Sequence, residues 1–185
     1  MVIRRAEDKD IDRILELLLQ VCNVHADIRP DLFIHNGTKY SREDLHEIII
    51  DDDRPIFVAV DDEHGNENKD AVFNANVNAN VDSDVNAKTD ANEHVLGYCF
   101  CQYKGPATSK CIKPFSQFFI DDLCVDESVR GQKVGQQLFE YAKEEAKRRG
   151  CYEVSLNVWE GNDAARKFYE KMGMKPKETQ MEIIL

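Results

Sequence analysis

The sequence predicts a single domain of the α/β or α+β class, built on a mixed central sheet. Segments with strand-like and helix-like apolar spacing are interleaved along the chain, which is typical of a sheet covered by helices. The length of 185 residues is sufficient for one domain with its own core. An apolar fraction of 42% and a charged fraction of 32% are those of a globular protein.

The composition also limits the partners and the compartment. A net charge of −11 would repel nucleic acid and favours cationic partners only weakly, so an anionic ligand would need a local pocket of donors. No apolar run approaches the roughly 18 residues that cross a bilayer, and the charged start "MVIRRAEDKD" lacks a signal region. We therefore expect a cytoplasmic protein that does not bind membranes. The six cysteines form no CxxC pair and the five histidines show no ligand spacing, so free thiols and no metal site are expected.

The first quarter of the chain predicts a strand and two helices. "VIRRA" has the character of a short strand, and Asp8 is expected to cap a helix. The apolar residues of that helix recur at helical spacing: Ile11, Ile14, Leu15, Leu18, Val21 and Cys22. Pro30 interrupts the pattern. Ser41 and Asp44 then form a capping-box signature that begins a second helix.

Two strands follow, separated by a segment of unusual composition. "PIFVAVDD" and "HVLGYCFCQYK" are interpreted as the strands of a hairpin. Between them, about residues 64–94 are rich in Asn, Asp, Ala and Val, with a repeated NANV. This segment fits either a mobile loop or an extended ribbon of the hairpin. In both cases it is an insertion within one domain that spans residues 1–185.

The rest of the chain again interleaves strands and helices. "FSQFFIDDLCV" predicts an apolar strand, followed by a helix from about 134 to 149 that Gly150 ends. "CYEVSLNVW" alternates as another strand. Asn162 is expected to cap a short helix that stops at Gly173, and "TQMEIIL" is expected to close the chain as a final strand.

A basic bend, "RGQKVG", joins the apolar strand to the long helix. Such a bend directs several backbone N–H groups and the positive end of the helix dipole at one point, which suits a phosphate. Gly131 and Gly135 allow close approach of the backbone, and Arg130 and Lys133 add positive charge. An ordinary strand-to-helix turn explains these six residues equally well. The GxxxxGK[ST] and early GxGxxG patterns of other phosphate-binding folds are absent.

Two longer stretches resemble a known family. "VDESVRGQKVGQQLFEYAKEEAKRRG" followed by "VSLNVWEGNDAARKFYEKMGM" is similar to the GNAT superfamily of acyl-CoA-dependent N-acetyltransferases. Its phosphate motif is Q/R-x-x-G-x-G/A, and its later helix reads N-x-x-A-x-x-[FL]-Y-E-K-x-G-F/M. The opening "IRRAEDKDIDRILELL" is also similar to the start of that superfamily, so the resemblance covers nearly the whole chain outside the insertion.

The resemblance implies a GNAT-like domain with helices on both faces of the sheet. It implies acetyl-CoA as cosubstrate and a primary amine as acceptor, acetylated by direct attack in a ternary complex without a metal. A non-catalytic acyl-CoA-binding or regulatory module is the alternative, and a homodimer is left open. One residue departs from the motif, because Lys133 occupies its first glycine. We expect that this position does not need a positive φ and that the lysine supplements the phosphate-binding charge.

The resemblance also implies which residues bind the cofactor. The pantetheine arm would pair with the backbone of Leu123, Cys124 and Val125. The pyrophosphate would lie against the N–H groups of Arg130, Gly131, Gln132, Lys133, Val134, Gly135 and Gln136. Asn162 would contact the cofactor, cap its helix, or do both.

The transfer itself needs a base, because an alkylamine with a pKa near ~10 must lose a proton to attack. Asp121 and Asp122 are the candidates, and the sequence does not choose between them. Since adjacent strand residues point to opposite faces, only one is expected to face the amine. A solvated acidic pair at a strand end is the alternative.

By the resemblance, Tyr169 would protonate the leaving thiolate, unless it is simply a core residue, and the N–H of Val125 would stabilise the oxyanion. An acyl-enzyme on Cys124 is disfavoured, since no histidine lies nearby in the sequence to activate it. The acceptor is expected to bind near "HADIRPDLFIHNGTKY", which supplies His25, Arg29, Phe33 and Tyr40.

Overall fold

A computed structural model describes residues 1–61, 93–106 and 110–185 of the chain. Nearly all of the predicted insertion at about 64–94 lies outside these residues, so neither its loop nor its ribbon interpretation is tested. Within the described ranges the strands are Val2–Arg5 (β1), Ile56–Val60 (β2), Val95–Lys104 (β3), Gln117–Val125 (β4) and Glu153–Leu156 (β5). The α-helices of the same ranges are Ile11–Ile28 (α1), Arg42–Ile49 (α2), Val134–Arg148 (α3) and Asp163–Lys171 (α4).

The strands form one sheet in chain order, from β1 to β5. Neighbouring strands from β1 to β4 are antiparallel, which confirms the predicted β2–β3 hairpin. β5 reaches β4 through the crossover helix α3 and lies parallel to it. The sheet is therefore mixed, as the sequence predicts.

Each face of the sheet has its own apolar core. On the first face, Tyr98 and Phe100 of β3 pack with buried residues of α1 and α2. On the second face, Phe118 of β4 packs with Leu138 and Phe139 of α3, and α4 packs against this cluster. We call these the α1/α2 face and the α3/α4 face. The prediction of helices on both faces is confirmed.

The helix ends are set by local hydrogen bonds. The capping box at α2 is confirmed: Ser41 Oγ accepts from the Asp44 N–H at 3.1 Å, and Asp44 Oδ2 accepts from the Ser41 N–H at 2.8 Å. The prediction that Asp8 caps α1 is wrong. Asp8 begins a single 3₁₀ turn, and it is Asp10 whose carboxylate accepts from the Glu7 N–H, at 2.8 Å. Gly150 follows α3 with a φ of 69°, which suits a residue without a β-carbon.

The predicted final strand "TQMEIIL" is wrong. Residues 175–185 have no regular secondary structure. Met181, Ile183 and Ile184 are each more than three-quarters exposed, at 85%, 84% and 76%. The alternation was read correctly, but a strand also needs a neighbour to pair with and a face to bury, and these residues have neither within the described chain. No described helix is long and apolar enough to span a membrane.

β3 and β4 approach each other closely at Gly97. A β-carbon there would lie 2.7 Å from the carbonyl oxygen of Cys124 and 3.2 Å from the Cα of Val125. Both atoms belong to the backbone and cannot rotate away. Only glycine fits this position, and it fixes the end of β4 from which the site is built.

Candidate active site

β4 separates from β5 halfway along its length. The two strands pair only from Gln117 to Ile120, and the described residues provide no further partner on that side of β4. The Asp126 N–H donates to the Leu96 carbonyl at 2.9 Å, towards β3. Because successive N–H groups of a strand point to opposite sides, those of Val125 and Leu123 face the open edge. The edge therefore offers backbone groups that an extended ligand can pair with.

A β-bulge lies where the strands separate. Phe100 of β3 pairs with Asp122 and Cys101 pairs with Ile120, so Asp121 is an extra residue in β4. The bulge shifts the alternation of side chains between the two faces by one residue. Ile120 and Leu123 therefore both pack on the α3/α4 face, although regular alternation over three residues would place them on opposite faces.

Because of the bulge, both aspartates point towards the α1/α2 face. Asp121 binds Tyr40 and Asp122 binds Tyr98, and both tyrosines belong to that face. The expectation that only one of the aspartates can face a reacting amine is therefore wrong.

Asp121 lies in a mixed polar and aromatic environment. Its Oδ2 accepts from the Lys39 ammonium at 2.6 Å and from the Tyr40 hydroxyl at 3.0 Å. Burial opposes the charge of Lys39, but the hydrogen bond to Asp121 and the negative charges of Asp121 and Asp122 together outweigh it, so the pKa of Lys39 lies above its usual value. The Tyr40 ring stacks on Phe100 with 5.5 Å between centroids. Tyr40, Phe100 and Asp121, but not Lys39, border a cavity of about 270 Å³. Its other walls are Ile48, Arg54, Cys101 and Gln102.

Asp122 lies beside this group and deeper in the protein. Its Oδ2 accepts from the buried Tyr98 hydroxyl at 2.9 Å. Burial raises the pKa of Asp122 to about 6, and Tyr98 and Lys39 limit the rise. A carboxylate with this pKa is ionised at neutral pH yet binds a proton more readily than an ordinary aspartate. It can therefore act as a base.

Backbone donors at the start of α3 have no acceptor inside the helix, whereas two N–H groups of the bend before it, those of Arg130 and Gln132, donate to the carbonyls of Glu127 and Val129 at 3.4 Å. The first four N–H groups of a helix have no partner inside it, and no described side chain caps α3 at Lys133. The first turn of α3 also contains no acidic residue, whereas those of α1, α2 and α4 each contain at least one. The positive end of this helix is thus not neutralised by its own first turn.

Lys133 has a φ of 66° and a ψ of 12°, which is the left-handed region. The expectation that this position does not need a positive φ is wrong. The turn requires the conformation that the family's glycine adopts easily, and the lysine adopts it with strain. Gly131, with a φ of 85°, fits the same bend without a penalty.

Two predicted residues at the bend contact their surroundings closely. A β-carbon on Gly135 would lie 3.3 Å from Val125 Cγ2 and 3.5 Å from Phe168 Cζ, so the glycine lets α3 approach the open edge of β4. The Arg130 guanidinium donates to the Val125 carbonyl at 3.4 Å, at the same edge. Asn162 caps α4, since its Oδ1 accepts from the Ala165 N–H at 3.1 Å.

Tyr169 projects from α4 into the α3/α4 face. Its ring lies 5.0 Å from that of Phe168 and 6.1 Å from that of Phe139, centroid to centroid. Burial raises the pKa of Tyr169 well above its usual value, so the hydroxyl keeps its proton at physiological pH. That hydroxyl has no hydrogen-bond partner among the described residues. It is a proton donor available to a ligand.

Cys124 is directed away from this edge. Its thiol donates to the Leu17 carbonyl at 3.5 Å on the α1/α2 face. Burial raises the pKa of Cys124 to about 12, so the thiolate is rare at neutral pH. Only its backbone is in a position to take part in the site.

The four residues predicted near an acceptor divide into two groups. Tyr40 joins Asp121 at the cavity, whereas Phe33 contacts His25 at 5.1 Å and Trp159 at 5.4 Å between ring centroids. The Arg29 guanidinium lies over Trp159, so it belongs to the second group.

Sequence reasoning missed several residues of the site, namely Lys39, Arg54, Tyr98, Phe100 and Trp159. Lys39 stands next to Tyr40 in the chain, but no sequence pattern shows that it meets a strand 82 residues away. Within the described ranges, no group of three or more His, Cys, Asp or Glu residues could hold a metal ion.

Comparison with known proteins agrees with this geometry. The model of a family described as "Acetyltransferase (GNAT) family" matches residues 42–174, which confirms the resemblance read from the sequence. Glucosamine 6-phosphate N-acetyltransferase of Arabidopsis thaliana is 39% identical over 62 residues, which are 34% of this chain and 40% of that protein. The matched stretch thus spans about two-fifths of the length of this curated relative.

Solved structures share the fold over the whole chain. A mutant of the BH1408 protein from Bacillus halodurans superposes with a TM-score of 0.80 at 23% identity, covering 100% of this chain and 99% of that one. The Arabidopsis glucosamine-6-phosphate N-acetyltransferase superposes with a TM-score of 0.61 at 22% identity, covering 99% and 97%. The predicted fold is confirmed.

Proposed function

Because this chain belongs to the acetyltransferase (GNAT) family, we propose that it transfers an acetyl group from acetyl-CoA to a small primary amine by direct attack in a ternary complex. One observation carries the proposal: the open edge of β4 runs from two aspartates into an uncapped helix N-terminus. An extended cofactor with a pyrophosphate can follow this path and leave its thioester beside the carboxylates.

The cofactor would be held mainly by backbone groups. The pantetheine arm would pair with the N–H groups of Leu123 and Val125, which face the open edge, and would pass the backbone of Cys124. The Leu123 N–H also interacts with the Asp122 carboxylate, so the arm would compete with that carboxylate for it. The pyrophosphate would bind the N–H groups between Arg130 and Gln136, where the helix dipole is unopposed by any acidic residue of the first turn. Asn162 uses its side-chain oxygen as a cap, and its amide nitrogen is the group left to contact the cofactor.

Asp122 is the proposed base. Its raised pKa of about 6 lets it accept the proton of the attacking amine, directly or through water, more readily than an ordinary aspartate would. Asp121 lies on the same face and already binds an ammonium group, so we assign it to the binding of the acceptor amine. The bulge allows this division of labour by placing two consecutive carboxylates on one face.

The remaining roles would fall to the Val125 N–H at the open edge and to Tyr169 on the α3/α4 face. The amine attacks the thioester carbonyl, and the N–H of Val125 would stabilise the oxyanion that forms. When the carbon–sulfur bond breaks, the Tyr169 hydroxyl would donate its proton to the thiolate of coenzyme A. The Cys124 thiol donates a hydrogen bond to a backbone carbonyl and keeps its proton at neutral pH, so it is a poor nucleophile. This favours direct attack by the amine rather than an acyl-enzyme intermediate.

A free-thiol release assay with acetyl-CoA and a panel of amines tests the proposal. Glucosamine 6-phosphate is the first acceptor to include, because it is named for the Arabidopsis relative; polyamines, peptides and aminoglycosides complete the panel. We expect one acceptor class to release coenzyme A at a rate above hydrolysis. Binding of acetyl-CoA without turnover on any amine would instead support an acyl-CoA-binding module.

A further inference from the structure

One oxygen of Asp121 already holds a primary ammonium, the same chemical group that the proposed acceptor carries. Asp121 Oδ2 lies 2.6 Å from Lys39 Nζ and 3.0 Å from the Tyr40 hydroxyl. The side chains of Lys39 and Asp121 are 45% and 32% exposed, so the ion pair is open to solvent. A pair of this kind is weak, and a free amine can compete with it.

Arg54 lines the same cavity and forms no ion pair with a described residue, although the Asp44 carboxylate lies within reach of its charge. Eight of the ten arginines of the chain are ion-paired within the described residues: Arg4, Arg5, Arg13, Arg29, Arg42, Arg148, Arg149 and Arg166. The two without an ion pair there are Arg130, at the proposed pyrophosphate site, and Arg54. In a protein with a net charge of −11, a part-buried arginine that lines a cavity and forms no ion pair with a described residue is a group that can bind an anion.

The cavity between these charges is small and partly apolar. Its volume is about 270 Å³, with Phe100 and Ile48 among its walls. This is just below the roughly 300–1,000 Å³ of pockets that hold drug-sized molecules. It suits a single ring or a short chain with an ammonium at one end and an anionic group at the other.

We propose that this cavity is the acceptor subsite, that Lys39 pairs with the Asp121 oxygen that receives the acceptor's ammonium until the acceptor displaces it, and that Arg54 binds an anionic group of the acceptor. The acceptor class is therefore a small primary amine that also carries a phosphate or a carboxylate. The inference rests on the proposed acetyl transfer and specifies its substrate. Neither the family match nor the resemblance assigns a role to Lys39 or Arg54.

The role of Arg54 is tested with pairs of amines that differ only in the anion. Glucosamine 6-phosphate is compared with glucosamine for phosphate, and 4-aminobutyrate with butylamine for carboxylate. We expect the wild type to favour the anionic member of one pair in kcat/KM by roughly 10- to 100-fold, the range of charged hydrogen bonds. Arg54→Gln should remove that preference by raising KM for the anionic amine only. Arg148→Gln, which removes an exposed arginine of α3, should keep it.

Absence of a preference in both pairs would overturn the anion site, as would an Arg54→Gln variant that keeps the wild-type preference. Which pair responds decides whether the anion is a phosphate or a carboxylate.

The role of Lys39 is tested by removing its ammonium. At a pH well above the pKa of Asp122, where loss of the Lys39 charge leaves that base ionised, Lys39→Met should lower KM for every accepted amine by up to about 5-fold at unchanged kcat. The reason is that an internal competitor of ion-pair strength is lost. Lys147→Met, which breaks an exposed ion pair with Glu144, is the matched control and should leave KM unchanged. A purely structural role of Lys39 would raise KM, so an unchanged or higher KM contradicts the inference.

Failure of this inference can be told apart from failure of the proposed function. If no amine releases coenzyme A, acetyl transfer fails and the subsite is examined by calorimetry with glucosamine 6-phosphate and 4-aminobutyrate in the presence of coenzyme A. Binding that weakens in Arg54→Gln and tightens in Lys39→Met then supports the subsite. No binding of either probe to the wild type rules it out.

Discussion

Replacing Lys133 by glycine tests the strain at the start of α3. A left-handed conformation costs a residue with a β-carbon roughly 1–2 kcal/mol, and Lys133 has a φ of 66°. The greater freedom of glycine in the unfolded chain offsets about 0.4–1 kcal/mol of this gain. We therefore expect Lys133→Gly to raise the free energy of unfolding by about 0.5–1 kcal/mol, or Tm by about 1–4 °C for a domain of this size.

Urea unfolding of the wild type, Lys133→Gly and Lys133→Ala separates backbone strain from charge. Alanine removes the ammonium but keeps the β-carbon, so it should leave most of the strain in place. Calorimetry with acetyl-CoA on the same three proteins measures how much the ammonium contributes to cofactor binding. Both variants should lose the same modest affinity if the ammonium lies near the pyrophosphate. Equal stability of the glycine and alanine variants would refute the reasoning about φ.

Three further predictions concern chemistry and packing. Tyr169→Phe should lower kcat by roughly 100-fold or more with near-normal binding of acetyl-CoA, measured by thiol release and calorimetry; unchanged turnover would remove Tyr169 as the proton donor. The pH profile of the wild type should rise through about 6 as Asp122 ionises, and Asp122→Asn should lose that limb along with most of its activity; a limb that survives belongs to another group. Gly97→Ala should lower the free energy of unfolding in urea by about 1–3 kcal/mol, because its β-carbon would meet the Cys124 carbonyl at 2.7 Å. Gly105→Ala, whose β-carbon would have no atom within 4 Å, should leave this free energy nearly unchanged.

Asp122 also makes a prediction for stability. Its folded pKa of about 6 lies above its ordinary value of 3.8, so between these values the folded protein binds more protons than the unfolded chain. The contribution of Asp122 to the free energy of unfolding therefore falls as pH rises from about 4 to about 6, by at most about 3 kcal/mol. Asp122→Asn should flatten this part of the stability profile measured by urea unfolding at several pH values. An unchanged profile would contradict the raised pKa.

Local patterns were sufficient for the elements whose own residues determine them. The Ser41–Asp44 capping box, the start of α3 and the glycine after it depend on neighbours within a turn, and all were predicted correctly. The predictions of the strand before the bend and the helix after it are confirmed for the same reason.

The errors arose where distant contacts decide the conformation. The phase of β4 is set by its pairing with β3, so no count of alternating residues reveals that Asp121 is extra. Whether Lys133 tolerates a positive φ depends on how the bend must turn to bring α3 onto the sheet. The contact between Lys39 and Asp121 joins a loop to a strand far along the chain, and Arg54 lacks an ion-pair partner only because of where the surrounding carboxylates lie in the folded protein.

Because Asp121 is the extra residue of the bulge, it can be gained or lost in evolution without moving the core residues of β4. If Asp121 were deleted, Ile120 and Asp122 would become neighbours on opposite faces, and every later side chain of β4 would keep the side it occupies now. One codon can therefore add or remove the second carboxylate while the rest of the scaffold stays in register. If Asp121 binds the acceptor amine as proposed, such a change would alter which amines are accepted while the strand keeps its pairing.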